Sequence, residues 1–129
     1  ELVPVDALSV VEDKGFEGDL HFGRNKRRCL FITTEHLDPH GYVPGTLREQ
    51  VTIDMQGLQD LEPGTEFHVG ELRFEIEQDC APCAHMAGRL GEDPQQFVTK
   101  MTRKRGMFAR PLSSGTMRVG DAVRVLAKG

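Results

Sequence analysis

A mainly β fold, a barrel or sandwich with a few short helices, is what this sequence predicts, and three observations predict it. The chain spreads 14 glycines and 7 prolines along 129 residues, cutting it into the short segments typical of many-stranded proteins. Apolar residues recur at alternate positions, as in Phe67 and Val69, then Leu72, Phe74 and Ile76, which is the period of a strand with one buried face. Only two stretches read as helices of more than a turn.

Taken in order, Ala7 to Glu12 reads as a strand, and Cys29-Leu30-Phe31-Ile32-Thr33 as a buried strand. Thr34 is placed to cap a helical turn through Leu37, ended by Asp38-Pro39. Gln50 to Asp54 alternates as a strand. Glu66 to Val69 and Leu72 to Glu77 flank Gly70-Glu71, a hairpin turn. Pro82 to Leu90 predicts a helix with Pro82 in its first turn. Asp93 to Met101 predicts another, with Asp93 as N-cap and Pro94 at the first helical position. Gly106 to Leu112 returns as a strand. Val123 to Leu126 follows as a final strand, after a turn at Val119-Gly120-Asp121.

The length suits one domain, residues 1–129, with one core. A composition of 38% hydrophobic and 28% charged residues is that of an ordinary globular protein. Apolar runs are only a few residues long, so no transmembrane helix and no membrane partner are expected. The first residues, Glu1-Leu2-Val3-Pro4, show no secretory signal. A net charge of −4 argues against nucleic-acid binding. Within this acidic chain, Arg24, Lys26, Arg27 and Arg28 form one basic cluster; Arg103, Lys104 and Arg105 form another, with Arg110 nearby. They either converge on a small anion such as a phosphate or lie in two solvated loops.

Three cysteines, an odd number, in a domain that needs no disulfide staples point to a reducing, cytoplasmic setting. Cys29 sits in an apolar run and reads as core. Cys80-Ala81-Pro82-Cys83-Ala84-His85 gathers two cysteines and a histidine in six positions, a candidate reaction centre. A helix starting at Pro82 would put Cys83 in its first turn, where the helix dipole favours the thiolate. Cys83 is therefore the expected reactive sulfur. A zinc site on Cys80, Cys83 and His85 with His21 as a distant fourth ligand is an alternative, although no second CxxC is present. A thioredoxin-like dithiol is another, against which stands the lack of a βαβ pattern. Asp19 and His21, inside Gly15 to Gly23, would share a face in extended backbone, with Asp19 orienting the imidazole; the other reading is a glycine-rich turn. Arg48, in Leu47-Arg48-Glu49-Gln50, either clamps an anion or pairs with a carboxylate.

Together these pieces resemble the MOSC domain, the module named from the C-terminal domain of molybdenum-cofactor sulfurases. The resemblance rests on Gly18-Asp19-Leu20-His21-Phe22-Gly23, Leu47-Arg48-Glu49-Gln50, Cys80-Ala81-Pro82-Cys83, Arg105-Gly106-Met107-Phe108-Ala109 and Ser114 to Asp121, in that order. It runs from about Gly15 to Leu126 and implies a MOSC-type β-barrel. It also implies molybdenum cofactor (molybdopterin) as ligand, with Cys83 ligating molybdenum or carrying a persulfide. His21, Asp19, Arg48 and Arg105 are then the expected cofactor contacts. The family further carries an association with pyridoxal phosphate. The chain departs from the family at Gln50, where Asn is usual. As a bare domain, without the N-terminal barrel of amidoxime-reducing relatives, it would take electrons or sulfur from a donor protein in trans. The implied activities are a molybdenum-dependent oxidoreductase acting on N-hydroxylated small molecules, or a sulfur carrier delivering to a sulfur acceptor, with a cofactor-storing binder as a third.

Overall fold

Strand β3 (Cys29–Thr33) explains most of the architecture, because all five of its residues are buried. A strand hidden on both faces needs a layer on each side. The computed structural model describes residues 7–18, 23, 29–37, 39, 41–42, 51–80 and 84–126. Among them, β3 lies between β4 (Val51–Ile53), which runs parallel to it, and β7 (Met107–Pro111), which runs antiparallel. The sheet continues through β6 (Leu72–Asp79) and β5 (Glu66–Val69) to the edge strand β9 (Val123–Val125). It is a curled, six-stranded half-barrel, as the mainly β reading requires. A second sheet sets β1 (Ala7–Val11) between β2 (Gly15–Phe16) and β8 (Gly115–Arg118).

On one side of β3, Phe31 meets Phe67 and Phe74 edge-on, with both pairs of ring centroids 5.1 Å apart. Phe67 and Phe74 stack at 5.5 Å. Each of these fully buried rings contributes roughly 2–3 kcal/mol by leaving water. Cys29, Ile76, Leu58 and Met117 fill the same core, which confirms Cys29 as a packing residue. On the other side, Ile32 packs with Leu37 of α1 (Thr34–Leu37), with Met86 and Ala87 of α2 (Ala84–Leu90), and with Phe97 and Met101 of α3 (Pro94–Met101).

Local chemistry sets the element ends. Gly70 opens the β5–β6 turn at φ +60, the conformation a two-residue hairpin asks of its first turn residue, and pairs Val69 with Leu72 and Phe67 with Phe74. The Asp93 side chain accepts from Gln96 N–H at 3.0 Å and caps α3. Helix α2 stops at Gly91, φ +70, where Gly91 N–H donates to Gly88 and Glu92 N–H to Ala87, the paired bonds of a Schellman end.

Some expectations shift. Strand β7 begins at Met107 rather than Gly106, because Gly106 takes φ +110. Helix α2 is described from Ala84, so Pro82 and the expected first-turn placement of Cys83 lie outside the described residues. Strands β2 and β8 and a 3-10 turn at Leu58–Asp60 were not expected. Strand β8 exists by pairing with β1, Leu8 opposite Met117, a partner more than a hundred positions away.

Candidate functional site

Strands β6 and β7 are antiparallel, with Asp79 opposite Met107. The chain leaving β6 towards Cys83 therefore starts beside the residues that enter β7, Arg103-Lys104-Arg105-Gly106. Cys80 N–H donates to Gly106 C=O at 2.9 Å, which joins the cysteine motif to the second basic cluster. Cys80 is a half-buried thiol.

Gly106 is required at this junction. A Cβ there would stand 2.5 Å from the Phe31 carbonyl oxygen, so the backbone of the loop passes directly over β3. Arg103 holds φ +62, a conformation unfavourable for a side chain with a Cβ, and its guanidinium donates to Gln59 C=O at 2.5 Å. Lys104 N–H closes the turn onto Met101 C=O at 2.9 Å.

The basic cluster divides. Arg103 and Lys104 are exposed, while Arg105 is 6% exposed. Burying a guanidinium is unfavourable unless its donors are engaged, so Arg105 is no solvated loop residue. Arg110 belongs elsewhere: it binds Glu75 at 2.8 Å and Asp13 at 3.1 Å, and Glu75 raises its pKa. Its place beside the basic triplet in sequence is not a place in the same cluster.

Gln59 of the 3-10 turn, 4% exposed, reaches the same junction. Its Oε1 accepts from Gly106 N–H at 2.6 Å. Its Nε2 donates to Asp79 Oδ1 at 2.6 Å and to the Met107 sulfur at 3.4 Å. Nothing in the sequence marks this glutamine; its neighbours Leu58 and Leu61 carry the visible apolar signal.

The structure thus brings Cys80 and the Arg103–Gly106 loop together. Cys83, His21, Asp19 and Arg48, and the cluster Arg24 to Arg28, lie outside the described residues. Of the zinc alternative's Cys80, Cys83, His85 and His21, only Cys80 has a described side chain. Among the described residues no group of three or more His, Cys, Asp and Glu is set to hold a metal, and no helix is long and apolar enough to cross a membrane.

A family model for the MOSC domain matches residues 17–124, a span that contains Asp19, His21, Arg48, Cys80, Cys83 and Arg105. The chain belongs to the MOSC domain family. Solved structures share its MOSC fold. The YuaD protein from Bacillus subtilis is 21% identical with a TM-score of 0.81, over 94% of this chain and 85% of that one. YiiM from Escherichia coli is 18% identical with a TM-score of 0.79, over 98% of this chain and 66% of that one. YiiM from Geobacillus stearothermophilus is 18% identical with a TM-score of 0.68, over 97% of this chain and 75% of that one. This MOSC chain therefore spans about two thirds of the Escherichia coli protein. No curated protein sequence matches it significantly.

Proposed function

We propose that this MOSC domain binds molybdenum cofactor, with Cys83 as the molybdenum ligand, and reduces N-hydroxylated small molecules. The observation that carries the reading is the family match across residues 17–124, which includes Cys83. The family is associated with molybdenum-cofactor sulfurase-type function.

The described residues fit such a ligand in kind. A thiol at Cys80 and two exposed cations, Arg103 and Lys104, meet at the junction made by the Cys80–Gly106 hydrogen bond. Soft sulfur suits molybdenum, and cations suit the phosphate of the pterin. Arg105, Arg48, His21 and Asp19 are the residues assigned to hold the cofactor. Exposed Arg103 and Lys104 would draw its anionic end towards the site. The bound cofactor would supply a metal centre that cycles by two electrons. Reduction of the substrate N–OH takes two electrons and two protons and releases water. The electrons would come from a protein electron donor.

A second reading is a sulfur carrier with a persulfide on Cys83, which the Cys80 thiol three residues earlier, half-buried and in no disulfide, would resolve.

The test is metal analysis of protein made anaerobically in a host that synthesises the cofactor, beside Cys83→Ala. Near-stoichiometric molybdenum in the wild type, lost in the variant, is expected. Absence of molybdenum from both, with sulfane sulfur on Cys83 released by dithiothreitol, would replace this reading with the carrier.

A further inference from the structure

One buried amide touches both halves of the junction. With its side chain Gln59 grips the end of β6 through Asp79 and the start of β7 through Gly106 and Met107, while its backbone carbonyl accepts from Arg103. A glutamine offers one acceptor and two donors on its side chain, and here both ends are used. Burying an amide is unfavourable unless it is bonded. A leucine would pack here as Leu58 does, so packing alone does not explain the residue.

The chemistry at the two ends differs in sign. The Asp79 carboxylate needs a donor, and Gly106 N–H needs an acceptor. A glutamine amide supplies both at once. An asparagine would be a methylene short, and an ionised glutamate would face Asp79 with like charge. The Arg103 bond to the Gln59 backbone carbonyl is a charge-assisted link that does not depend on the side chain, so it is common to wild type and variants at this position.

We propose that Gln59 is a positioning residue of the site. It holds the end of β6, where Cys80 follows, in fixed register with the Arg103–Gly106 loop. What the site then binds rests on the reading under Proposed function; the positioning itself does not. Without the lock, the Cys80–Gly106 backbone bond would be left to hold cations and thiol together, and a ligand bridging them would meet a looser pair.

The experiment uses the full chain without cofactor, so its outcome is separate from that of molybdenum loading. Gln59→Leu, Gln59→Glu and Gln59→Glu/Asp79→Asn are compared with wild type well below each melting temperature. Two rates are read: alkylation of Cys80 and Cys83 by iodoacetamide, resolved by peptide mass spectrometry, and tryptic cleavage after Arg103 and Lys104. Gln59→Leu should raise loop cleavage and change Cys80 alkylation by roughly tenfold, as local opening becomes easier by a net hydrogen bond or more.

Gln59→Glu should behave differently with pH. At low pH the paired carboxyls retain a proton and one donates to the other, so the lock holds. As pH rises the second ionises, and the rates, taken relative to wild type at each pH, climb. In Gln59→Glu/Asp79→Asn the amide introduced at position 79 donates to the carboxylate at position 59, and both rates should return to within about twofold of wild type, the donor and acceptor having exchanged sides. A purely structural glutamine would lower the melting temperature without this pH profile or this rescue. Wild-type rates in Gln59→Leu, or no recovery in the double variant, would overturn the proposal. Should Gln59→Leu fail to fold, the pair of glutamate variants decides it.

Discussion

Replacing Gly106 by alanine should be the most damaging single methyl that can be added at this junction. The new Cβ would lie 2.5 Å from the Phe31 carbonyl oxygen, well inside even a weak C–H···O contact of about 3.3 Å. The neighbour is backbone in β3, which β4 and β7 clasp from both sides, so it cannot rotate away. The residue also holds φ +110, which costs a side chain about 1–3 kcal/mol. Relief of the clash pushes the loop outward and strains the bonds from Cys80 N–H and to Gln59 Oε1, each worth about 1 kcal/mol. The total is about 4 kcal/mol, a large share of the roughly 5–15 kcal/mol that holds a domain folded. In urea, with a slope of about 2 kcal/mol per molar, the midpoint should fall by about 2 M. Gly91→Ala is the control: it has φ +70 and nothing within 4 Å of the added methyl, so backbone strain alone acts, at about 1–2 kcal/mol. Equal losses from the two variants would show that the approach to Phe31 is not limiting, and would refute the reasoning.

Other outcomes follow from single contacts. Asp93→Ala should cost about 1 kcal/mol by removing the α3 cap, with Asp93→Asn nearly neutral; equal losses in thermal unfolding would exclude the cap. Tyr42 is the only tyrosine and the chain has no tryptophan, so alkaline absorbance titration reports one group. Burial, and then its bond to Glu92, raise its pKa above 10.0, while Lys100 lowers it. Lys100→Met should therefore move the midpoint higher and Glu92→Gln should move it lower; the opposite order would disprove the arrangement. Arg73, and then His68, hold the half-buried Glu66 carboxyl down at about 2. Because the folded value is depressed, whatever stability Glu66 contributes is complete above the ordinary value of 4.5 and is lost as pH falls through about 2. Arg73→Gln should bring the Glu66 titration, followed by carboxyl NMR, back up towards 4.5, and an unmoved midpoint would exclude the ion pair as its cause.

The sequence by itself determined the parts whose physics is local. Cys29 to Thr33 reads as a buried strand and is one, and the alternation about Gly70-Glu71 reads as a hairpin, whose pairing sets Phe67 against Phe74. Asp93-Pro94 announced α3 because a cap needs partners only three residues away. Five short motifs in order were enough to point to the family that the match over residues 17–124 establishes. Tertiary structure decided everything that depends on partners far along the chain. Strand β8 has one buried side chain, Met117, too weak a pattern to read, and forms because β1 lies beside it. The run Arg103-Lys104-Arg105 looks uniform, yet two residues face water and one is buried, since the loop's crossing over Phe31 sets which way each points. Arg110 sits beside that run but is drawn to Glu75 and Asp13 by strand pairing. Gln59 joins Asp79 to Gly106 across separations of 20 and 47 positions, and a pattern of neighbours cannot record a bond that exists only once the sheet has closed.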